Sequence, residues 1–526
     1  MESEMMTKYK ILDDGVTAKN ACSESVAEVA TAVPAFIGYT EWSHNQKTGL
    51  SQQAWRITSM SEFVACYGGP PPSKFSIHAL AAPAADGAGI AGDFSVPDSV
   101  SGHSEAYELR REDTPYILYY SMLLYFQNGG GACYIVSAGH YGDRLDAGKL
   151  CAGIDSLLTE PEPTMMLVPD AMHLSAPDCA TVQRHALQHC GLQRNRIALL
   201  DVHRGHQHRQ HADGDCVAAF RAAVGSEFLD FGTSFYPWVN TSVVKEKGID
   251  FTAITNLDVL AGLLQRELSP VINTGHPTAA AKIMIDHVKA LLVALTSDWS
   301  KSKDPVTEML MLNETLLTIT SLYPQIMQAI RKKLNLLPPA ACMAGLYNMA
   351  DNMYGVWKDL SNIGMYGVVS PAAAISNDEQ EDLAGAAHGA SINAIRSFIG
   401  QGVLVWGART LDGNSPIWRD VSTRRTMIMI EQSVRRACRH ITQEPNTAST
   451  WVFVKSMVCN YLISVWRRGG LAGVSPDEAF SVRVGLGETM SAEDVLQGVM
   501  TVAVLVAPSR PAEFIDISFQ QQMRQN

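Results

Sequence analysis

Hydrophobic and polar positions change rhythm several times along this chain. Residues 1–30 are polar and weakly patterned, with too little apolar surface to pack alone but enough to pair as a strand. The run TAVPAFIGY at 31–39 predicts a buried strand, and Pro34 places it near the strand start or on an edge. Residues 69–105 are rich in Pro, Gly, Ala and Ser and predict a mobile surface loop. From Thr114 the pattern turns regular. Pro115 suits the first turn of a helix running to Asn128, which Gly129, Gly130 and Gly131 end, and ACYIVSA at 132–138 predicts a buried strand. Apolar runs at 165–168 and 197–202 flank a helical pattern at 180–190. Strands alternating with helices predict βαβ units and a largely parallel sheet. Residues 255–335 are mostly helical in pattern, punctuated by Pro270, Pro277 and Pro305.

The C-terminal pattern is the clearest. Residues 403–408 predict a strand, and 424–439 an amphipathic helix with Met427, Ile430 and Val434 on one face and cations on the other. Asn446 can cap a long helix with the apolar stripe Trp451, Val454, Val458, Tyr461, Leu462 and Val465, which Gly469 and Gly470 end. Ser475, Pro476 and Glu478 spell a capping box on a short helix; Ser491 begins another and Gly498 closes it. Strands at 499–506 and 512–519 finish the pattern. In the second, Ile515, Ile517 and Phe519 alternate with Asp516 and Ser518, so it needs a sheet edge to complete.

Length and charge narrow the classes. With 526 residues, 46% hydrophobic and 18% charged, the chain is expected to fold as two to four globular domains. A net charge of −12 argues against binding nucleic-acid backbone with the whole surface. No apolar run reaches the roughly 18 residues of a membrane span, and residues 1–10 lack the apolar core of a secretory signal. Ten scattered cysteines without a C-x-x-C pair predict reduced thiols in a bacterial-type cytosol, not a disulfide framework or zinc site.

Candidate chemistry is sparse. Asn128 to Gly131 (NGGG) follows a helix and precedes a strand, the reverse of a phosphate-binding loop, and reads as a helix stop with a tight turn. Gly232-Thr233-Ser234 invites comparison with a serine-protease nucleophile turn. No His-Gly precedes it and no Asp-Ser/Thr-Gly exists, so it reads as a turn before Tyr236-Pro237-Trp238. The tract holding His203, His206, His208, His211, Asp213 and Asp215 matches no tight ligand spacing and predicts an exposed loop with weak metal affinity. Arg424, Arg425, Arg435, Arg436, Arg439, Arg467 and Arg468 form either a solvated helix face or a docking surface for an acidic protein. No catalytic, cofactor or functional metal site is assigned.

Several segments resemble contractile tail sheath proteins of phages and phage-tail-like injection systems. They include TAVPAFIGYTE (31–41), YFQNGGGACYIVS (125–137), VPDA (168–171), YPW (236–238) and LPPAACMAGLY (337–347). The C-terminal third adds SINAIRSF (391–398), VLVWGARTL (403–411), EPNTASTW (444–451), WRRGGLAG (466–473), DEAFSVRVG (477–485), GETMSAEDVLQG (487–498) and RPAEFI (510–515). The chain departs from the family pattern at Asp359-Leu360-Ser361, Gln401 and Asp420, and its N-terminal pattern is reduced to Gly15-Val16.

The resemblance implies an α/β, multidomain (α+β) fold: a subtilisin-like α/β middle domain without protease chemistry, plus a C-terminal sheath domain whose sheet is completed by arms of neighbouring subunits. The implied division is an N-terminal linking arm at 1–32 and a strand and surface loop region at 33–115. The middle domain at 116–375, with its helical stretch 255–335, the C-terminal sheath domain at 376–507 and a C-terminal linking arm at 508–526 complete it. Gly15, Val16, Ile515, Ile517 and Phe519 would sit in inter-subunit arms, and Lys455, Trp466, Arg467 and Arg468 would face the tube. The implied function is a sheath subunit polymerising as six-membered rings around an inner tube, with baseplate and terminal cap proteins as further partners. It implies assembly in the bacterial cytoplasm, without nucleic acid or direct membrane insertion. A metal-binding oligomeric module and a subtilisin-like hydrolase are the alternatives.

Overall fold

The computed structural model describes residues 26–45, 48–80, 92–97, 104–272, 279–297, 299, 304–385, 389–509 and 515–523. Gly15 and Val16 lie outside the described residues. The fold is mixed α/β, and the chain divides into two compact units. The larger contains residues 30–429; the smaller contains 430–507 with 515–523 and residues 26–29.

The larger unit is built on a nine-stranded sheet in the order Ile363–Gly364, Gly402–Trp406, Asn393–Phe398, Gly232–Tyr236, Ile197–Asp201, Met165–Leu167, Pro34–Thr40, Cys133–His140, Ala54–Ile57. The six strands from Asn393–Phe398 to Cys133–His140 run parallel, and antiparallel strands flank them on both sides. Every residue of Pro34–Thr40 is buried, as a parallel strand covered on both faces requires. Neighbouring side chains on that strand reveal the two layers. Phe36 packs edge-on against Tyr125 of helix Leu118–Gln127, ring centroids 5.1 Å apart. Ile37 points the other way, towards Gly153 of helix Ala147–Asp155, where an added Cβ would come within 2.7 Å of Ile37 Cγ2.

The structure corrects three readings here. The expected loop at 69–105 contains strands Phe75–Ala79 and Phe94–Pro97, which pair with Ser104–Arg111. Phe75, Ile77, Phe94 and Val96 enter a second core, shared with the helices Leu257–Ile272, Ala279–Leu295, Pro305–Ile319 and Leu322–Leu334. Gly232-Thr233-Ser234 is not a turn. It forms most of a fully buried central strand. Strands Asn393–Phe398 and Gly402–Trp406, expected in the C-terminal domain, belong to this central sheet instead.

The smaller unit holds the helix Ala448–Arg467, two short helices, and a three-stranded antiparallel sheet ordered Phe480–Arg483, Val499–Val506, Ile515–Gln522. Its long helix buries five residues of the expected stripe, Val454, Val458, Tyr461, Leu462 and Val465, while Trp451 is only half-buried. Thr447 rather than Asn446 stands at the N-cap; Asn446 instead donates to Val499 O (3.2 Å) and accepts from Trp451 Nε1 (2.6 Å). Ser475 makes no side-chain cap bond and Glu478 accepts from Val474 N (2.9 Å), so the expected box does not form, whereas Ser491 and Asp494 form a complete capping box.

Candidate assembly surfaces

The terminal strand is amphipathic to the last detail its sequence allows. Ile515, Ile517 and Phe519 are buried, while Asp516, Ser518 and Gln520 are exposed. It pairs with Val499–Val506 over all eight residues, from Ile515 opposite Val506 to Gln522 opposite Val499. Beyond it, Met523 N donates to Gly498 O at 2.6 Å. The sheet edge that its one-sided pattern required is therefore, in the single chain, the chain's own. Among the described strands it has one neighbour, so its outer edge is open.

The cations separate into three environments. Lys455 and Arg467 are exposed. Arg468 is ion-paired with Glu28 of the N-terminal segment, and Val29 N next to it donates to Ser433 Oγ (3.1 Å). Trp466 does not project freely; its Nε1 donates to Gly473 O at 3.0 Å. Arg435, Arg436 and Arg439 are exposed on helix Val421–Arg439.

Arg424 and Arg425 correct the expected cationic face, because both are buried. Arg424 lies 3.5 Å above the Trp418 ring centroid and 4.3 Å from that of Phe231, and is ion-paired with Asp230. Arg425 pairs with Asp351 and stands over Tyr347. Hydropathy alone places arginines outside; acids distant in sequence bring these two in.

The remaining candidates have structural roles. Asn128 caps its helix, with Nδ2 donating to Leu124 O (2.9 Å) and Tyr366 O (3.0 Å), and Gly129 adopts φ 87°. Ser234 is wholly buried, and its Oγ has no hydrogen-bond partner among the described residues, so it presents no nucleophile to solvent. The His tract is not uniformly exposed. His206 packs on Trp238, with ring centroids 5.1 Å apart, and His203 Nε2 meets Leu174 O at 3.1 Å. Burial lowers the pKa of both. Asp215 caps helix Cys216–Val224 and binds Arg209 at 2.7 Å, which takes it out of any ligand set. Among the described residues no three His, Cys, Asp or Glu side chains converge as a metal site. None of the described helices is long and apolar enough to cross a membrane.

One buried acid escaped the sequence reading. Asp170 is completely buried and accepts from the backbone N–H of Tyr39 (2.6 Å), Ile117 (2.7 Å) and Leu118 (3.2 Å). Desolvation nevertheless raises its pKa to about 6. It ties the first strand to the start of helix Leu118–Gln127; a buried-strand run followed by Pro-Asp was the available signal.

Residues 414–522 match the family model of the phage tail sheath C-terminal domain. No curated protein matches the chain in sequence. The fold is similar to a chain in the contracted helical sheath of the anti-feeding prophage, with 23% identity, 96% of this chain and 98% of that one covered, and a TM-score of 0.56. A chain of the contracted PVC sheath complex, an extracellular contractile injection system, gives 22% identity, 98% coverage of each and a TM-score of 0.55. A chain in the anti-feeding prophage baseplate gives 23% identity, 98% and 100% coverage, and 0.56. The chain thus carries a phage tail sheath C-terminal domain and has, over nearly its whole length, the fold of contractile sheath proteins.

Proposed function

We propose that this chain is the structural subunit of a contractile tail sheath. It polymerises as stacked rings of six around an inner tube, and contraction drives the tube through a target cell envelope. The observation that carries the reading is the match of residues 414–522 to the sheath C-terminal domain, on a chain whose fold follows sheath proteins nearly end to end.

The physical logic is a switch between two packings of one subunit. Contacts passed from copy to copy without two-fold closure build an open helix. An extended lattice held on its tube is metastable, and rigid bodies rearranging into a denser lattice release the stored free energy. In this reading the arms around Gly15 and Val16 and around Ile515, Ile517 and Phe519 keep neighbours joined during the change. Lys455 and Arg467 are exposed cations available to the tube. Baseplate and cap proteins bound the sheath at its ends, assembly takes place in the bacterial cytoplasm, and the subtilisin-like middle region serves as scaffold rather than enzyme. Sedimentation velocity tests the reading. The full chain is expected to form large polymers, and a chain ending at Pro508, which has no terminal strand to lend, is expected to form none of them. Polymerisation of the truncated chain would remove the C-terminal arm from the reading.

A further inference from the structure

We propose that the terminal strand Ile515–Gln522 is a self-closing cap, which must leave its own sheet before a second copy can add. The inference rests on the sheath reading above and names how its assembly is held back. In the free chain this strand covers the edge of Val499–Val506 with a complete eight-residue register. On one face it buries Ile515, Ile517 and Phe519, and Met523 follows them, each 9% exposed or less. Beside it, on the neighbouring strand, Met500, Val502, Val504 and Val506 are fully buried.

Lifting the strand away would strip the edge of its backbone partners and wet that apolar face, so an open sheet is not a resting state. The strand of a second copy is chemically identical and restores every one of those bonds. Closed and exchanged sheets are therefore nearly equal in contact energy. What separates them is the entropy of joining two chains, which favours closure in the free subunit. Exchange wins only where other contacts already hold a neighbour in place, as at the end of a growing polymer. Each copy giving its strand forward and receiving one from behind yields an open series. The cap thus keeps a sticky edge covered until a growing end is met.

Paired cysteines on the solvent face test this. Ala503 and Ser518 face each other across the two strands, as do Thr501 and Gln520. The variant Ala503→Cys with Ser518→Cys, oxidised as free chain, is expected to give an internal cross-link and to stay unpolymerised until reduced. Assembled first and oxidised afterwards, it is expected to link neighbours and run as a ladder on a non-reducing gel, where the parent chain gives none. Thr501→Cys with Gln520→Cys supplies an independent lock. A locked chain that polymerises as fast as the reduced one, or an assembled sample that yields only single-chain product, would overturn the proposal while leaving the sheath reading intact. A parent chain that never polymerises would overturn both.

Discussion

Asp351 and Arg425 form an ion pair inside the larger unit, 2.6 Å from Nη2 to Oδ2, with side chains 7% and 4% exposed. Thr31 completes it, donating from Oγ1 to the same carboxylate oxygen at 2.5 Å and accepting from Arg425 Nη2 at 3.0 Å on its carbonyl. The pair thereby fixes the chain three residues before its first central strand. Arg425→Met leaves a buried carboxylate without its cation and is expected to destabilise the fold by about 3–5 kcal/mol. Arg425→Met with Asp351→Leu removes both charges and is expected to cost less than the single change. Urea denaturation of the two variants decides it, and equal losses would contradict the pairing argument.

Gly38 makes the second prediction. A Cβ there would lie 2.5 Å from Asp170 Oδ2 and 3.1 Å from Leu118, and Asp170 is held in place by three backbone donors. The neighbours cannot yield, so Gly38→Ala is expected to cost about 1–3 kcal/mol through overpacking. A denaturation midpoint unchanged from the parent would show that the carboxylate moves freely.

Two buried titrating groups push stability in opposite directions with pH. Asp201 is buried with a backbone N–H from Ala340 at 2.9 Å, and desolvation raises its pKa to about 7. The folded chain then keeps a proton that the unfolded chain has lost. Its contribution is present below about pH 4 and disappears as pH rises through 7. His189 is the reverse. Burial lowers its pKa to about 4, so its contribution is present above about pH 6.5 and is lost on acidification towards 4. Asp201→Asn is expected to gain on the parent as pH rises from 5 to 8, whereas His189→Gln is expected to gain as pH falls from 7 to 4. Midpoints measured across that range would contradict the assignments if either difference stayed flat.

Arg467 and Arg468 are adjacent but are expected to behave differently. Arg468→Glu places a second carboxylate beside Glu28 and is expected to speed proteolysis within residues 26–30. The stability cost should be small, because both members of this pair are substantially exposed. Arg467→Glu should leave proteolysis unchanged but weaken extended sheaths on tubes, an effect that added salt should imitate. Equal proteolysis profiles for the two variants would remove the Glu28 contact from the explanation.

What could be read from sequence follows from how each element is buried. The runs at 132–138, 165–168 and 197–202 are strands covered on both faces, so continuous apolar sequence located them within a few residues. Phe75–Ala79 and Phe94–Pro97 escaped because they are short and each offers only two core side chains, set among prolines, glycines and alanines. Thr233 and Ser234 read as turn residues in the sequence, since only the neighbouring strands make that position internal. The burial of Arg424 and Arg425 is not legible in the sequence because their partners, Asp230 and Asp351, lie 194 and 74 residues away. The terminal strand was legible as a strand; the edge it completes was not, because an amphipathic pattern specifies a sheet edge without saying whose.

Negative-stain electron microscopy of the purified protein tests the central claim most directly. The expected images are striated tubes of uniform width with sixfold end-on views. Protein that remains dispersed as single subunits, across concentration and salt and in the presence of its co-expressed inner tube, would contradict a sheath.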